Sequence, residues 1–185
     1  MKTRDLARAC DGNWIAAFTA LVPHVCGGVG GSRSFGSVEA VVTGLDRAYY
    51  NPVFATETDA RPRDLVEAVE WIRAQGVAAS VQLAEELSDR LGDVLRDLDL
   101  ETDPWVTPGM ALHPIPRSPR PPAELRLEPV AVRSFDDWHE GIAYGPNFKR
   151  VFGPRLVDDP AFRFVVGYAS PLLGLPLLAV AVEFP

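Results

Sequence analysis

Side chains that could transfer protons or bind a metal are few in this sequence and lie far apart. The three histidines are His24, His113 and His139, and no two of them have the spacing of a helical zinc site. His139-Glu140 is not followed by a second histidine one helical turn later, which excludes a zincin motif. No Gly-x-Ser-x-Gly motif occurs that could anchor a hydrolase triad. The sequence therefore predicts no metal site and no catalytic residue.

Two pairs of adjacent carboxylates have residue types suited to acid and base catalysis. They are Asp136-Asp137 and Asp158-Asp159, and each pair stands at the start of a predicted helical segment. Aspartate at such a position accepts hydrogen bonds from free backbone N–H groups and interacts favourably with the helix dipole. We therefore expect both pairs to act as caps rather than as catalysts.

The glycine-rich segment 27–36 is the one stretch that suggests a phosphate-binding loop. It lacks the Gly-Lys-Ser/Thr ending of a P-loop, and it precedes a predicted strand rather than a helix. A cradle for an anion needs the free N–H groups of a helix N-terminus. We predict a flexible connector here.

Composition restricts the classes of partner. The chain of 185 residues is 47% hydrophobic and 23% charged, which is ordinary for a globular protein. Its formal net charge is -7 and its only lysines are Lys2 and Lys149, so it lacks the clustered cations that nucleic acid binding requires. Two cysteines and a charged start without an apolar run predict a cytoplasmic protein. The preference for Arg over Lys is typical of high-GC, actinobacterial genomes.

Apolar periodicity predicts alternating helices and strands, and hence the α/β (α+β) class. Glycines divide these elements: Gly12 weakly interrupts the first predicted helix, and Gly76 is placed to cap the second. The predicted helices are 6–21, 63–75, 85–98 and 135–142, with a short helical turn at 158–162. The predicted strands are 38–43, its antiparallel partner 53–56, then 77–83, 125–132, and the paired strands 162–168 and 177–184.

A proline-rich segment divides the chain into two parts. Residues 117–124 cannot form a regular element and have the composition of a semi-rigid linker. We therefore predict one domain at 1–116 and a second at 125–185. In the second, residues 164–182 carry no charge, as a membrane span would. Gly167, Pro171, Gly174 and Pro176 would break a helix there, so we favour two paired strands over a membrane span.

Several motifs resemble the GNAT family of acyl-CoA-dependent N-acetyltransferases. The first half resembles a degenerate GNAT-like region that precedes the catalytic domain in certain bacterial members, on the segments around Trp14, 49–54, 68–72 and 108–112. The second half resembles the opening of the catalytic domain, on the segments 125–132, 135–139, 152–154, 158–163 and 166–168. The resemblance implies a GNAT-like mixed sheet flanked by helices, and a second GNAT unit that is incomplete.

The resemblance also implies where a cofactor would bind. In that family acetyl-CoA is held after the fourth strand by Arg/Gln-x-x-Gly-x-Gly/Ala, whose backbone N–H groups open a helix and cradle the pyrophosphate. The predicted strands of the second half are not followed by such a motif. We therefore expect no cofactor in this chain, although the intact family uses acetyl-CoA, and we expect any acyltransferase activity to be incomplete.

Five residues are predicted to contact substrate. In the family the first helix and the loop after it shape the acceptor side of the cleft, which points to Trp138, Tyr144 and Phe148. Tyr50 and Asn51 are the candidates in the first half. The alternative is that the aromatic residues pack in a core or an interface, and that Tyr50-Asn51-Pro52 is a turn into a strand.

Three functions remain open from the sequence. The chain is an N-acetyltransferase-like protein that is catalytically incomplete, a non-catalytic module that binds a protein or a small ligand, or a protein tethered to a membrane through 164–182. An apolar hairpin near the end of the sequence would leave an exposed sheet edge. A homodimer or a protein partner that covers this edge is the expected remedy.

Overall fold

The computed structural model of this protein describes residues 3–25, 30–101, 125–136, 153–169 and 180–183. The chain divides into two compact units, 1–23 with 27–111 and 24–26 with 112–185. The predicted linker 117–124 lies outside the described residues. The described elements form a mixed sheet with helices and a separate antiparallel sheet, which agrees with the predicted α+β class.

The first unit begins with helix α1, Thr3–Leu21. The predicted interruption at Gly12 is wrong, because the helix continues through it. A glycine inside a helix lowers stability by about 0.5–1 kcal/mol relative to alanine. This loss is small beside the contacts that the rest of the helix makes. Trp14, Phe18 and Leu21 share one face at helical spacing, and Phe18 packs against Val41 and Phe54 of the sheet. The packing of this face explains why the low helix propensity of Gly12 does not end the helix.

Four strands form the sheet of the first unit in the order β1-β2-β3-β4. They are Gly31–Phe35, Val38–Val42, Pro52–Ala55 and Ser80–Leu83. Strands β1, β2 and β3 are antiparallel neighbours, whereas β3 and β4 are parallel. The predicted antiparallel pairing of the segments around 38–43 and 53–56 is therefore confirmed.

Strand β1 corrects the prediction of a flexible connector at 27–36 for residues 31–35, whereas residues 27–29 lie outside the described residues. It pairs with β2 along its whole length, from Gly31 opposite Val42 to Phe35 opposite Val38. Gly36 makes the tight hairpin turn at φ +61, a left-handed conformation that glycine adopts without strain. The three central residues of β1 are exposed, so the strand lacks the apolar alternation by which strands are predicted.

Helix α2, Pro62–Arg73, connects β3 to the parallel strand β4, and α3, Ser88–Asp97, follows β4 after a 3-10 turn at Glu85–Leu87. The buried face of α2 consists of Leu65, Ala68, Val69 and Ile72. Gly76 has φ +78, which confirms its predicted place at the end of α2. Each large apolar side chain that leaves water here contributes about 1.5–3 kcal/mol. The β3-α2-β4 unit is thus anchored through one face of α2.

The second unit contains an antiparallel sheet of order β5-β6-β7, with strands Leu125–Pro129, Arg163–Ala169 and Val180–Glu183. Arg163 lies opposite Glu183, so the predicted hairpin is confirmed. A 3-10 helix covers Pro154–Asp158, earlier than the predicted turn at 158–162, because proline favours the first helical position. Of the predicted helix 135–142, Phe135 and Asp136 are helical and the rest lies outside the described residues.

The uncharged segment 164–182 was predicted to form two paired strands rather than a membrane span. Among the described residues, no helix combines the length and the apolar character needed to cross a bilayer. Residues 164–169 and 180–182 of the uncharged segment belong to strands β6 and β7.

Candidate ligand-binding cleft and the predicted site residues

Asn51 is buried at the base of strand β3 and is fully engaged with the backbone. Its side chain is 0% exposed. The Oδ1 atom accepts hydrogen bonds from the backbone N–H of Thr43 at 2.9 Å and from its hydroxyl at 3.2 Å. The Nδ2 group faces the carbonyl oxygens of Leu45, Arg47 and Ala78 at 2.9, 3.1 and 3.1 Å. Asn51 therefore holds the loop 43–51 against the start of β4, and its contact with a substrate stays a prediction.

Tyr50 lies in a cluster of aromatic rings beside Asn51. It is 9% exposed and contacts Tyr49 edge to face, at 5.4 Å between ring centroids. Tyr49 is 51% exposed and contacts Phe18 of α1 at 6.2 Å. Phe18 in turn lies 5.8 Å from Phe54 of β3. These contacts match the alternative in which Tyr50 packs in a core rather than contacting a substrate.

The three other predicted substrate residues, Trp138, Tyr144 and Phe148, lie outside the described residues. Their role stays a prediction that rests on the resemblance alone. Among the described residues, the candidate ligand site lies elsewhere, in a cleft of the first unit.

The carboxyl ends of the parallel strands β3 and β4 form the base of a cleft. In α/β sheets, ligands bind beyond the carboxyl ends of parallel strands. Thr56, Glu57 and Thr58 follow β3, and Glu86 follows β4 in the 3-10 turn before α3. The first half of α1 contributes Ala7, Arg8 and Asp11 to the same cleft, whose volume is about 500 Å³.

Negative charge dominates this acidic cleft. Three carboxylates line it, those of Asp11, Glu57 and Glu86, together with one cation, Arg8. Arg8 forms an ion pair with Glu57 at 2.8 Å. Because both side chains of this pair are largely exposed, at 63% and 45%, it contributes little to stability. The cleft keeps a net negative charge after this pairing.

The charge of the cleft acts on Asp11. Partial burial raises the pKa of the Asp11 carboxyl above its usual value of 3.8, and the nearby carboxylates of Glu57 and then Glu86 raise it further. Both causes penalise the ionised form of Asp11. A positively charged group that entered the cleft would reverse this effect.

The acidic cleft is suited to an organic cation. Carboxylates accept charge-assisted hydrogen bonds from ammonium and guanidinium groups. Throughout the described ranges, no group of three or more His, Cys, Asp or Glu side chains could hold a metal ion.

A second, smaller cleft of about 300 Å³ lies where β3 leads into α2. It is lined by Gly36, Ser37, Asp59, Arg61 and Asp64. Pro62 occupies the start of the helix and has no N–H to offer an anion. The carboxylates of Asp59 and Asp64 outnumber the single guanidinium of Arg61, so this helix N-terminus is poorly suited to a phosphate.

In the second unit, His24 and Asp159 form a partly buried pair. Nε2 of His24 lies 2.5 Å from Oδ2 of Asp159, and the His24 ring contacts Phe162 edge to face. The backbone N–H of Ala161 donates to Asp159 Oδ1 at 2.8 Å. This bond, followed by the contact with His24, lowers the pKa of the Asp159 carboxyl. Asp159 thus binds backbone N–H as predicted, in a turn after the 3-10 helix rather than at its start.

Sequence reasoning missed the acidic cleft. Asp11, Glu57 and Glu86 are far apart in the chain, and no spacing rule connects them. One signal was available, because Glu57 follows one predicted strand and Glu86 follows another. The parallel pairing of these strands, which brings both residues to one edge, was not predicted.

Comparisons of the whole chain with protein-family models, with curated proteins and with solved structures found no match in any of the three.

Proposed function

We propose that this chain is a catalytically incomplete relative of the GNAT N-acetyltransferases, whose first unit is a non-catalytic module that binds a small organic cation. The observation that carries the proposal is the acidic cleft at the carboxyl ends of β3 and β4, which is lined by Asp11, Glu57 and Glu86.

The order of elements in the first unit supports the family relation. Three antiparallel strands, β1 to β3, are followed by α2 and by the parallel strand β4. Acetyl-CoA in the family resembled is bound where a strand leads into a helix. That site follows the family's fourth strand, whereas in this unit the β-α-β connection follows the third strand, β3, and we take the β3–α2 junction as the corresponding place.

The chemistry of this junction argues against a pyrophosphate. Residues 56–61 contain no glycine, so the backbone is shielded by side chains where the family motif leaves it bare. Glu57 and Asp59 lie in this segment, and Asp64 occupies the first turn of α2. Their negative charges repel a phosphate and already interact with the positive end of the helix dipole.

The pairing of β3 with β4 also argues against a thioester site. The two strands are in register from Pro52 opposite Ser80 to Ala55 opposite Leu83. The N–H of Ala84 donates to the carbonyl of Ala55 at 3.1 Å, which continues the pairing beyond the strand ends. In the family, two strands splay apart and expose an amide to the thioester carbonyl. This pair is closed along its length.

The acidic cleft supports the choice of ligand. It lies at the carboxyl ends of β3 and β4, and its carboxylates exceed its cations. An ammonium or guanidinium group carries several N–H donors and can form charge-assisted hydrogen bonds with the carboxylates of Asp11 and Glu86.

Titration of the intact chain with two probes tests this proposal. We expect 1,4-diaminobutane at pH 7 and low salt to raise the melting temperature in a saturable manner. Acetyl-CoA at millimolar concentration should leave it unchanged, with no thiol released in the presence of the amine. Saturable binding of acetyl-CoA would overturn the assignment of the first unit as non-catalytic.

A matched pair of variants locates the cation. Glu86→Gln removes one cleft carboxylate and should weaken amine binding about tenfold, a loss of about 1.4 kcal/mol. Asp97→Asn removes an exposed carboxylate of α3 that does not line the cleft, and serves as the control. Equal weakening by both variants would show that the amine responds to net charge alone, which contradicts a specific site.

The second candidate function is binding of another protein chain. Strand β7 lies at the edge of the three-stranded sheet among the described strands, which supports a homodimer or a protein partner there. Leu127 and Val132 are exposed apolar residues of the same unit, at 48% and 56%. A constant monomer mass in light scattering, from micromolar to hundreds of micromolar protein, would contradict the homodimer.

A further inference from the structure

We draw no further inference here: the strongest candidate, the row of exposed carboxylates at every fourth residue along the turn at Glu85–Leu87 and helix α3 (Glu85, Asp89, Asp93 and Asp97), is an acidic cluster with no second observation that points to a ligand.

Discussion

Replacement of Asn51 tests whether the loop 43–51 is held by a single buried amide. Asn51→Ala leaves the N–H of Thr43 without its acceptor and the carbonyl of Ala78 without the amide donor, whereas the carbonyls of Leu45 and Arg47 still accept from backbone N–H groups. Each buried polar group that loses its partner costs about 1–3 kcal/mol. Carbonyls keep part of their hydration when a loop relaxes, so we expect a total loss of about 3 kcal/mol rather than the full sum.

The variant Asn51→Asp tests the donor role of the amide nitrogen separately from the acceptor role of Oδ1. Aspartate has nearly the same shape and keeps the acceptor for Thr43. Its second oxygen, however, would face three carbonyl oxygens that lie within 3.1 Å of the present amide nitrogen. We therefore expect Asn51→Asp to lose at least as much stability as Asn51→Ala.

Urea denaturation at pH 7, followed by circular dichroism, measures these losses. For a domain of about 100 residues, 3 kcal/mol corresponds to a fall in melting temperature of roughly 12 °C or more. Asn13→Ala, at an exposed position of α1, is the control and should change stability by less than about 0.5 kcal/mol. A loss below about 1 kcal/mol for both Asn51 variants would refute the reasoning, since water would then replace the amide at little cost.

Two further predictions concern backbone conformation and charge. Gly36→Ala should destabilise the chain by about 1–2 kcal/mol, because φ is +61 and the new Cβ would collide with the Asp64 carboxylate. Gly12→Ala should stabilise it by about 0.5–1 kcal/mol, because nothing lies within 4 Å of its Cβ, and opposite signs in urea denaturation are the check. Asp11→Asn should stabilise the chain at pH 7. The raised pKa of Asp11 means that its ionised form costs stability above the folded pKa, and this cost vanishes below the usual value of 3.8. Stability curves of both proteins that stay parallel from pH 7 to pH 3 would contradict this cause.

Elements with a strong apolar period could be predicted from the sequence. Helix α2 has Leu65, Val69 and Ile72 on one face and Gly76 after its end, and the structure bears out both features. The hairpin of β6 and β7 follows in the same way from the glycines and prolines between two apolar runs. For α2 the local signal and the burial of the element agree.

Elements that are defined by their neighbours could not be predicted. Strand β1 is polar and exposed at its centre, so its strand conformation comes from pairing with β2 rather than from its own residues. Gly12 lowers the intrinsic helix propensity of α1, and the sequence therefore predicted an interruption there. The helix continues because Phe18 packs against the sheet and stabilises it. The acidic cleft depends on the parallel pairing of β3 and β4, a contact between segments far apart in sequence.

The closed pairing of β3 and β4 connects the scaffold to the proposed function. At one end the backbone N–H of Ser80 donates to the carbonyl of Asn51 at 3.2 Å, and at the other Ala84 donates to Ala55 at 3.1 Å. To expose an amide to a thioester, the strands would have to separate, and each backbone group left buried without a partner would cost about 1–3 kcal/mol. The same pairing fixes the spacing of Glu57 and Glu86, which follow the two strands. A rigid base of this kind disfavours insertion of an acyl chain and favours a preformed site for a small cation.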